Sequence, residues 1–557
     1  MSICQQTLII MAVLVRKIEE IFFKPEQEHL KDLYILIALA LFGYFVRLWM
    51  ALTTFGVVYP DEFMYIEVAH DMKYGFGIIP WELRVPNPGE DGAAKSYFYV
   101  LVYFFIMEFI DFMGGNYFTV TLPLIRLFDM TISALIVPTL YLMAKELTDS
   151  RPIAIIATFF ASFYYFLVKL SLHSFTDNLS TPFIYFFVFV IIYLQKKDFK
   201  SRSLNHYILA FIGGLSFGLS FILRSFSIGT PLPILLLRFR WKDVKIYSSA
   251  ALGFLLLVFF QGMLDLVYYG QFLISPFNLF KYNVIDDKGR FHGSAPWGWY
   301  FQQLFAGGPL LFAFTMLFVA FLCLEVRALF ISAIEGKSQQ NTIEKRGKEF
   351  FQQIHLVLWV FSYIFIYSFQ AHKELRFIYS VIPVFFICFA WGVWRAANDI
   401  PEWLLQGLNT LEQYQRKFQF HRHKNLLRRL TFLIILAISL NAFYFLNRYS
   451  SDRMDWNFNG DVVRSMEFVG QQDNVTGVII LAQFGYTGTY THLHRNVSMA
   501  HVSNNFDPTI YSTIYNWLIC PKHRYYIDEG LEARLNSSSF ELVKTIDEKC
   551  DIYHRAN

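Results

Sequence analysis

The chain has 557 residues, 55% of them hydrophobic and 19% aromatic, with 17% charged residues and a formal net charge of +4. A soluble protein of that mix would aggregate, and the apolar residues are gathered in blocks such as Ile35 to Val46, Ala250 to Val267 and Leu310 to Cys323, each part of a segment near bilayer-spanning length. The small, scattered charge excludes a polyanion-binding stripe and suits a polytopic membrane protein oriented by its basic loops.

Residues 1–31 hold a short apolar run, Leu8 to Val15, but no small-residue cleavage site, and Arg16, Lys17, Glu19 and Glu20 follow at once. They read as an N-terminal cytoplasmic segment and not as a cleaved signal peptide. Spans are expected at 32–56, 97–113, 119–145, 153–172, 179–195, 206–237 in one or two pieces, 246–270, 309–334, 351–370, 375–395 and 430–447, about 11 to 13 crossings within a membrane domain of 32–448. Basic clusters at Lys196, Lys197, Lys200 and Arg202, at Arg238, Arg240, Lys242 and Lys245, at Lys345, Arg346 and Lys348, and from Arg416 to Arg429 place those loops in the cytoplasm. Counting outward puts the 57–96 loop, the 271–308 loop, the turn at 371–374 and the tail after 450 on the opposite face. Between 97 and 195 four apolar segments stand where an odd number of crossings is required, so either one of them is a half-span or 153–195 is a single broken crossing, with Leu172 to Asp177 the candidate break.

Residues 449–557 are polar enough for a small extracytoplasmic α/β or α+β domain, with a strand-like Val475 to Leu481 and sequons at Asn474, Asn496 and Asn536. Cys520 and Cys550 share this tail and can pair if it is extracytoplasmic. The expected fold is thus an all-α polytopic membrane protein with a small soluble C-terminal domain. No cysteine spacing suggests a zinc or redox site, and no Gly-rich nucleotide loop is visible, which argues against a cytosolic nucleotide-sugar site or an ATP-driven pump; neither cofactor nor metal is expected.

Candidate chemistry lies in the outer loops. Tyr59-Pro60-Asp61-Glu62 follows the first long span, and Pro60 can start a helix, placing Asp61 at its N-terminus. Glu67, His70 and Asp71 continue a polar surface at helical spacing. In His372-Lys373-Glu374-Leu375-Arg376-Phe377, Lys373 and Arg376 are three apart at a helix start and suit a phosphodiester, although snorkelling cations at span ends are common. Arg126 with Asp129, and Arg224, lie inside apolar segments, where ionisable groups face a cavity or a partner. His173 to Asn178 is a candidate cavity rim. In the 271–308 loop, His292, Trp297, Trp299 and Tyr300 form either an interfacial aromatic belt or a platform on which sugars stack.

The stretches Tyr59-Pro60-Asp61-Glu62 with His70 and Trp81-Glu82, then Asp265 and Tyr269-Gly270 leading to Phe291-His292-Gly293-Ser294-Ala295-Pro296-Trp297-Gly298-Trp299-Tyr300-Phe301, then His372 to Tyr379, resemble the dolichyl-phosphate-mannose-dependent α-mannosyltransferases, glycosyltransferase family 22. The nearest likeness is to the branch acting on glycosylphosphatidylinositol (GPI) precursors. The similarity runs in order from about residue 35 to 395. Tyr59 stands where the family usually has His, and Gly298 where it often has a second His. The resemblance implies a C-type (GT-C) glycosyltransferase fold, a polyprenyl-phosphate sugar donor, no metal, a glycolipid acceptor, and inversion of a β-linked donor to an α-mannoside. It makes Asp61 the general base with Glu62 beside it. Lys373, Arg376, His372, Arg224 and Lys95 are expected to hold the leaving phosphate. The expected location is the endoplasmic reticulum membrane in a eukaryote or the plasma membrane in a prokaryote, with the site extracytoplasmic. A transporter or flippase of a lipid-linked sugar is the alternative.

Overall fold

A computed structural model describes residues 28–53, 60–87, 90–197, 202–307, 319, 340–395, 459–481, 488–502, 514–521, 535, 538–547 and 549–555. Among the described residues six helices are long and apolar enough to cross a membrane, and a bent pair makes a seventh. The first, α1 (Glu28–Thr53), is followed, after a 3₁₀ turn at Pro60–Phe63, by the short helix α2 (Met64–Tyr74) and by α3 (Phe98–Phe112). A π-helical turn at Tyr117–Thr121 leads into α4 (Leu122–Ala134) and α5 (Ile136–Thr148), which together make one span from Tyr117 to Thr148. Next come α6 (Arg151–Phe163), α7 (Tyr165–Ser171), α8 (Thr176–Lys196), α9 (Leu204–Leu223), α10 (Leu232–Arg238) and α11 (Val244–Tyr269). The loop after them carries α12 (Ile274–Phe280) and α13 (Trp299–Gly307); α14 (Gln340–Ser368) and a 3₁₀ turn at Leu375–Val381 running into α15 (382–395) complete the membrane region. The expected spans at 309–334, save Val319, and at 430–447 lie outside the described residues.

Between 150 and 196 lie two apolar pieces and not one broken crossing: Thr176–Lys196 is long and apolar enough to span by itself, and Arg151–Phe163 with Tyr165–Ser171 forms a separate bent pair. Helix stops at Ser171 and resumes at Thr176, and a second break comes at Tyr164, whose extended backbone separates α6 from α7 at an angle of 58°. Arg47, fully buried on α1, donates to the Ser162 carbonyl at 3.0 Å and to its own Gly43 carbonyl at 3.0 Å. Its guanidinium thus occupies an acceptor beside the bend, as irregular backbone within a membrane requires. Elsewhere the helices approach backbone to backbone: a Cβ on Gly214 of α9 would fall 1.8 Å from the Ala250 carbonyl oxygen of α11, and one on Gly253 would fall 2.2 Å from the Phe211 carbonyl oxygen. Small residues permit such contact in lipid, where close packing and not water exclusion drives helices together.

One end of the bundle is stitched by ion pairs. Asp32 holds Arg151 at 2.6 Å and also pairs with Lys145; Lys196 reaches Glu146 at 2.9 Å and also Asp149; buried Asp243 takes Arg202 at 2.7 Å and Arg240 at 2.6 Å. These are the helix ends that carry the basic loops around 196–202 and 238–245. The loops holding Asp61, Lys95 and Arg376 occupy the other ends.

The C-terminal region contributes α16 (Gly460–Gly470), α17 (Thr489–Leu493) and a five-stranded mixed sheet, β1 (Gly477–Ile480), β2 (Ser498–His501), β3 (Trp517–Pro521), β4 (Phe540–Ile546) and β5 (Cys550–Arg555), in the order β2-β1-β3-β5-β4. β1 runs parallel to β2 and β3, and the other pairs are antiparallel. Val462, Met466 and Val469 of α16 close one face over Val478, Ile480 and Ile519. Pairing of Cys520 with Cys550 does not fit this sheet. Cys550 stands opposite Pro521, so strand alternation sends the two thiols to opposite faces, Cys520 among Ile479 and Leu518, Cys550 among Ile480 and Ile519.

Candidate active site

Pro60 opens the 3₁₀ turn that presents Asp61 and Glu62 just before α2. The Asp61 carboxylate accepts a hydrogen bond from Arg376 Nη2 at 2.7 Å, a contact spanning 315 residues of sequence. Its side chain keeps 37% exposure, whereas that of Arg376 keeps 9%, so the acid is the reachable member of the pair. Arg376 is held by more than Asp61: it pairs with Glu374, which also binds His372 Nε2 at 3.0 Å, and its guanidinium lies 5.2 Å from the Phe175 ring centre and 5.6 Å from that of Phe377.

Two further cations act on the same carboxylate. Arg224 caps the end of α9, where the helix breaks, and its Nε lies 3.0 Å from Asp177. Lys95 is set by its backbone: its amide donates to the Glu82 carbonyl at 3.0 Å and its carbonyl accepts from Tyr269 at 2.7 Å. The adjoining Ser96 donates to Gln261 at 2.5 Å, Gln261 donates to Asp265 at 2.7 Å, and Asp265 accepts the Ser275 amide at 2.9 Å. Asp265 therefore works as a brace joining two outer loops to α11. Burial by itself would raise the Asp61 carboxyl, but Arg376, Lys95 and Arg224 hold it down at about 2. Burial lowers the Lys95 ammonium, with Arg224 adding to the effect.

Glu82 is the acidic neighbour that sequence patterning did not single out as a site residue. Burial pushes its carboxyl up to about 7, Lys95 opposing and the Asp61 charge reinforcing the rise. Only the folding of the 80–95 loop, with the Ala94 and Lys95 amides on the Glu82 carbonyl, brings it there. Two carboxyls whose environments push them apart in this way suit different roles.

The other expected site residues divide. His372 joins the cluster through Glu374, which raises its pKa against the opposing effect of burial. The Lys373 ammonium donates to the Ala295 carbonyl at 3.0 Å and to that of Gln370, so it fastens the turn to the 271–308 loop. His292 and Trp297 remain on the surface, His292 with its ring 5.7 Å from that of His372. Trp299 packs against the core and Tyr300 is fully buried, a position that keeps a ring from stacking on a sugar. Asp129 is met by the hydroxyls of Tyr103 at 2.7 Å and Ser174 at 2.5 Å and by that of Tyr99. Glu62 turns away from Asp61 and binds His173 at 2.7 Å.

The polar surface of α2 is a docking face. Glu67, buried, accepts from the Thr489 hydroxyl at 2.5 Å, the Thr491 amide at 2.9 Å and hydroxyl at 2.5 Å, and the Tyr490 amide at 3.2 Å. His70 Nε2 meets His494 Nδ1 at 2.8 Å, and the His494 ring stacks on Tyr117 at 3.8 Å. The C-terminal region thereby grips the helix that begins beside Asp61. Replacing Glu67 with Ala strands several of these donors and is expected to cost about 1–3 kcal/mol of docking stability, read as faster amide exchange over 488–494. Burial depresses His70 to about 3 and His494 to about 4. An unfolded histidine binds its proton near 6.5, so between that pH and the folded values the undocked state holds more protons. The histidine contribution to docking is therefore expected to be full above about pH 6.5 and to fade as pH falls below it, opposed in part by the buried Glu67 carboxyl, which burial raises and whose protonation favours the docked state. Limited proteolysis of the C-terminal region at pH 7 and pH 5 checks this, and equal cleavage at both would count against it.

A model of the Alg9-like mannosyltransferase family matches residues 38–494, from α1 through the loops that bear Asp61, Lys95 and Arg376 to the histidine that docks on α2. The chain belongs to the Alg9-like mannosyltransferase family. Relatives in this family include "GPI alpha-1,2-mannosyltransferase 3" of Bos taurus, 25% identical over 357 residues, covering 63% of this chain and 57% of that protein. The human protein of the same name is 25% identical over 329 residues, covering 58% and 51%. "Mannosyltransferase APTG1" of Arabidopsis thaliana is 23% identical over 450 residues, covering 79% and 72%. The chain spans little more than half the length of the bovine and human proteins. Among solved structures, ArnT from Cupriavidus metallidurans bound to undecaprenyl phosphate aligns with a TM-score of 0.54 at 12% identity, over 94% of this chain and 97% of that one. The family member described here thus has the C-type glycosyltransferase fold and is an integral, multi-pass membrane protein.

Proposed function

We propose that this chain is an inverting α-mannosyltransferase that moves mannose from a polyprenyl-phosphate donor, dolichyl phosphate in a eukaryote, to a glycolipid acceptor such as a GPI precursor, at the extracytoplasmic membrane face. The observation that carries the reading is the hydrogen-bonded pair of Asp61 and Arg376, drawn from loops 315 residues apart, with the charges of Lys95 and Arg224 acting on the same carboxylate. The names of the GPI mannosyltransferase relatives support mannose and the GPI class of acceptor. The undecaprenyl phosphate named for ArnT supports a polyprenyl-phosphate donor.

In the proposed step the acceptor hydroxyl oxygen attacks the anomeric carbon. The bond from that carbon to the phosphate oxygen breaks, its electron pair leaves with the polyprenyl phosphate, and the hydroxyl proton passes to an Asp61 oxygen. Arg376, Lys95 and Arg224 take up the growing phosphate charge. While bound to Arg376, Asp61 is a weak base. A donor phosphate that engages Arg376 relieves that hold, and the carboxylate gains affinity for a proton when one must be taken.

The test is transfer from synthetic polyprenyl-phosphate mannose to a panel of glycolipid acceptors by purified full-length protein. Movement of donor across a bilayer without glycoside formation would instead mark a transporter. Glu82 supplies a pH signature. It is neutral below about 7, and losing its proton above that adds negative charge beside the phosphate site. Donor affinity should therefore fall as pH rises through about 7, and Glu82→Gln should flatten that dependence, measured as donor KM between pH 6 and 8.5.

A further inference from the structure

Glu62 follows the assigned base by one residue, yet its side chain leaves the cation cluster. The His173 Nδ1–H donates to its Oε2 at 2.7 Å, and the two side chains keep only 6% and 4% exposure. The contact ties the 3₁₀ turn at Pro60–Phe63 to the chain between α7 and α8, 111 residues further on. The Glu62 charge also acts on Arg126 of α4, so hydrogen bond and charge are two separate candidates for what this carboxylate does.

The segment that holds Glu62 is itself fixed at each step. The His173 amide donates to the Leu170 carbonyl at 3.2 Å, and the His173 carbonyl accepts the Phe175 amide at 2.8 Å and the Asn178 side-chain amide at 3.2 Å. Ser174 is anchored on Asp129, which Tyr103 also holds. The same few residues reach two of the phosphate cations: the Phe175 ring lies 5.2 Å from the Arg376 guanidinium, and Asp177 pairs with Arg224 at 3.0 Å. Residues 173–177 therefore form one frame on which the turn carrying the base and two of its cations are mounted.

In the resting protein the turn is tied from either side, by Arg376 on Asp61 and by His173 on Glu62. Phe63 and Met64 are buried and set its depth. The proposed step draws Arg376 toward the donor phosphate, which loosens the first tie when Asp61 has to stand within reach of the acceptor hydroxyl. The second tie uses no phosphate-binding cation and persists with donor bound.

We infer that the Glu62–His173 pair is a positioning latch, which keeps Asp61 aimed while phosphate engages Arg376 and takes no part in proton transfer itself. The inference rests on the transferase reading. Glu62 acts through the hydrogen bond it accepts and not through its charge.

The experiment measures single-turnover mannosyl transfer, donor Kd and amide exchange over residues 62–66 in full-length protein. Glu62→Ala and, separately, His173→Phe break the latch. Each should slow transfer at saturating donor by about ten- to a hundredfold, the scale on which small misplacement of a reacting group acts, with donor Kd within about twofold of wild type. Glu62→Gln keeps an oxygen that accepts from His173 and should recover most of that loss. A Gln variant as slow as the Ala variant would assign the effect to charge and overturn the latch; loss of donor binding in the Ala and Phe variants would make the pair mere scaffold and overturn it too. The exchange arm needs no transfer, because Asp61→Ala releases the Arg376 tie without donor. Asp61→Ala and His173→Phe alone should each leave exchange over 62–66 within about threefold of wild type, and the two together should speed it by about tenfold or more. If exchange responds in this way and the wild-type protein transfers no mannose, the transferase reading fails and the second tie on the turn stands. If transfer proceeds but His173→Phe keeps the wild-type rate, or the double variant exchanges like Asp61→Ala alone, the latch fails and the transferase reading stands.

Discussion

Asp61→Asn is expected to lower the turnover of mannosyl transfer by about 10²–10⁴-fold, the usual contribution of a positioned general base. The change removes the proton acceptor while an amide oxygen remains to receive the Arg376 hydrogen bond, so donor KM and the unfolding midpoint should stay close to wild type. Single-turnover transfer with saturating donor is the decisive measurement. Retention of the wild-type rate would remove Asp61 from the chemistry whatever its place in the cluster.

Arg376→Ala should act on both affinity and stability. Truncating one member of a buried, hydrogen-bonded charge set typically costs about 2–5 kcal/mol, which in kcat/KM for the donor corresponds to about 30-fold or more. Glu374 and Asp61 are left without their shared guanidinium. Because Asp61 stays partly open to water, the loss of folding stability should fall near the lower end of the range for broken buried pairs, about 3 kcal/mol. Adding Glu374→Gln should restore part of the stability and none of the donor affinity, a split that separates scaffold from phosphate contact. Lys373→Ala is expected to leave donor affinity much nearer wild type, since that ammonium binds main-chain carbonyls of Ala295 and Gln370. A Lys373 variant with the larger donor defect would reverse these roles.

Much of the scaffold could be read from composition because lipid demands long apolar helices, and residues such as Ile35 to Val46 and Ala250 to Val267 meet that demand locally. Arg376 could be picked out because a cation at a span end facing away from the basic loops lacks the ordinary anchoring explanation, and Asp61 because it stands in a carboxylate pair followed by Glu67, His70 and Asp71. What pattern could not supply was direction. Glu62 differs from Asp61 by one step along a 3₁₀ turn and binds His173 instead; Lys373 stands three residues before Arg376, ahead of the 3₁₀ turn and not on it, and is spent on backbone. The bend at Tyr164 carries no glycine, and the proline nearest it within the described residues opens α6 at its far end, so it escaped notice. Glu67 and His70 were legible as an unusual polar surface, but their partners Thr491 and His494 lie more than 400 residues away in a tail with no recognisable signature. Glu82 gains its altered acidity from loop closure alone.

The buried Arg47 on the first span has a consequence for biogenesis. Its acceptor on Ser162 is made 115 residues later, so an inserting first helix carries a guanidinium whose tertiary partner has not yet been synthesised. A charged group in hydrocarbon is costly until satisfied. The emerging helix should linger beside the translocation channel or a membrane chaperone until the bent pair α6–α7 arrives to claim it. Ribosome-bound chains truncated shortly before and shortly after the Ser162 position should then differ sharply in their crosslinking to that machinery.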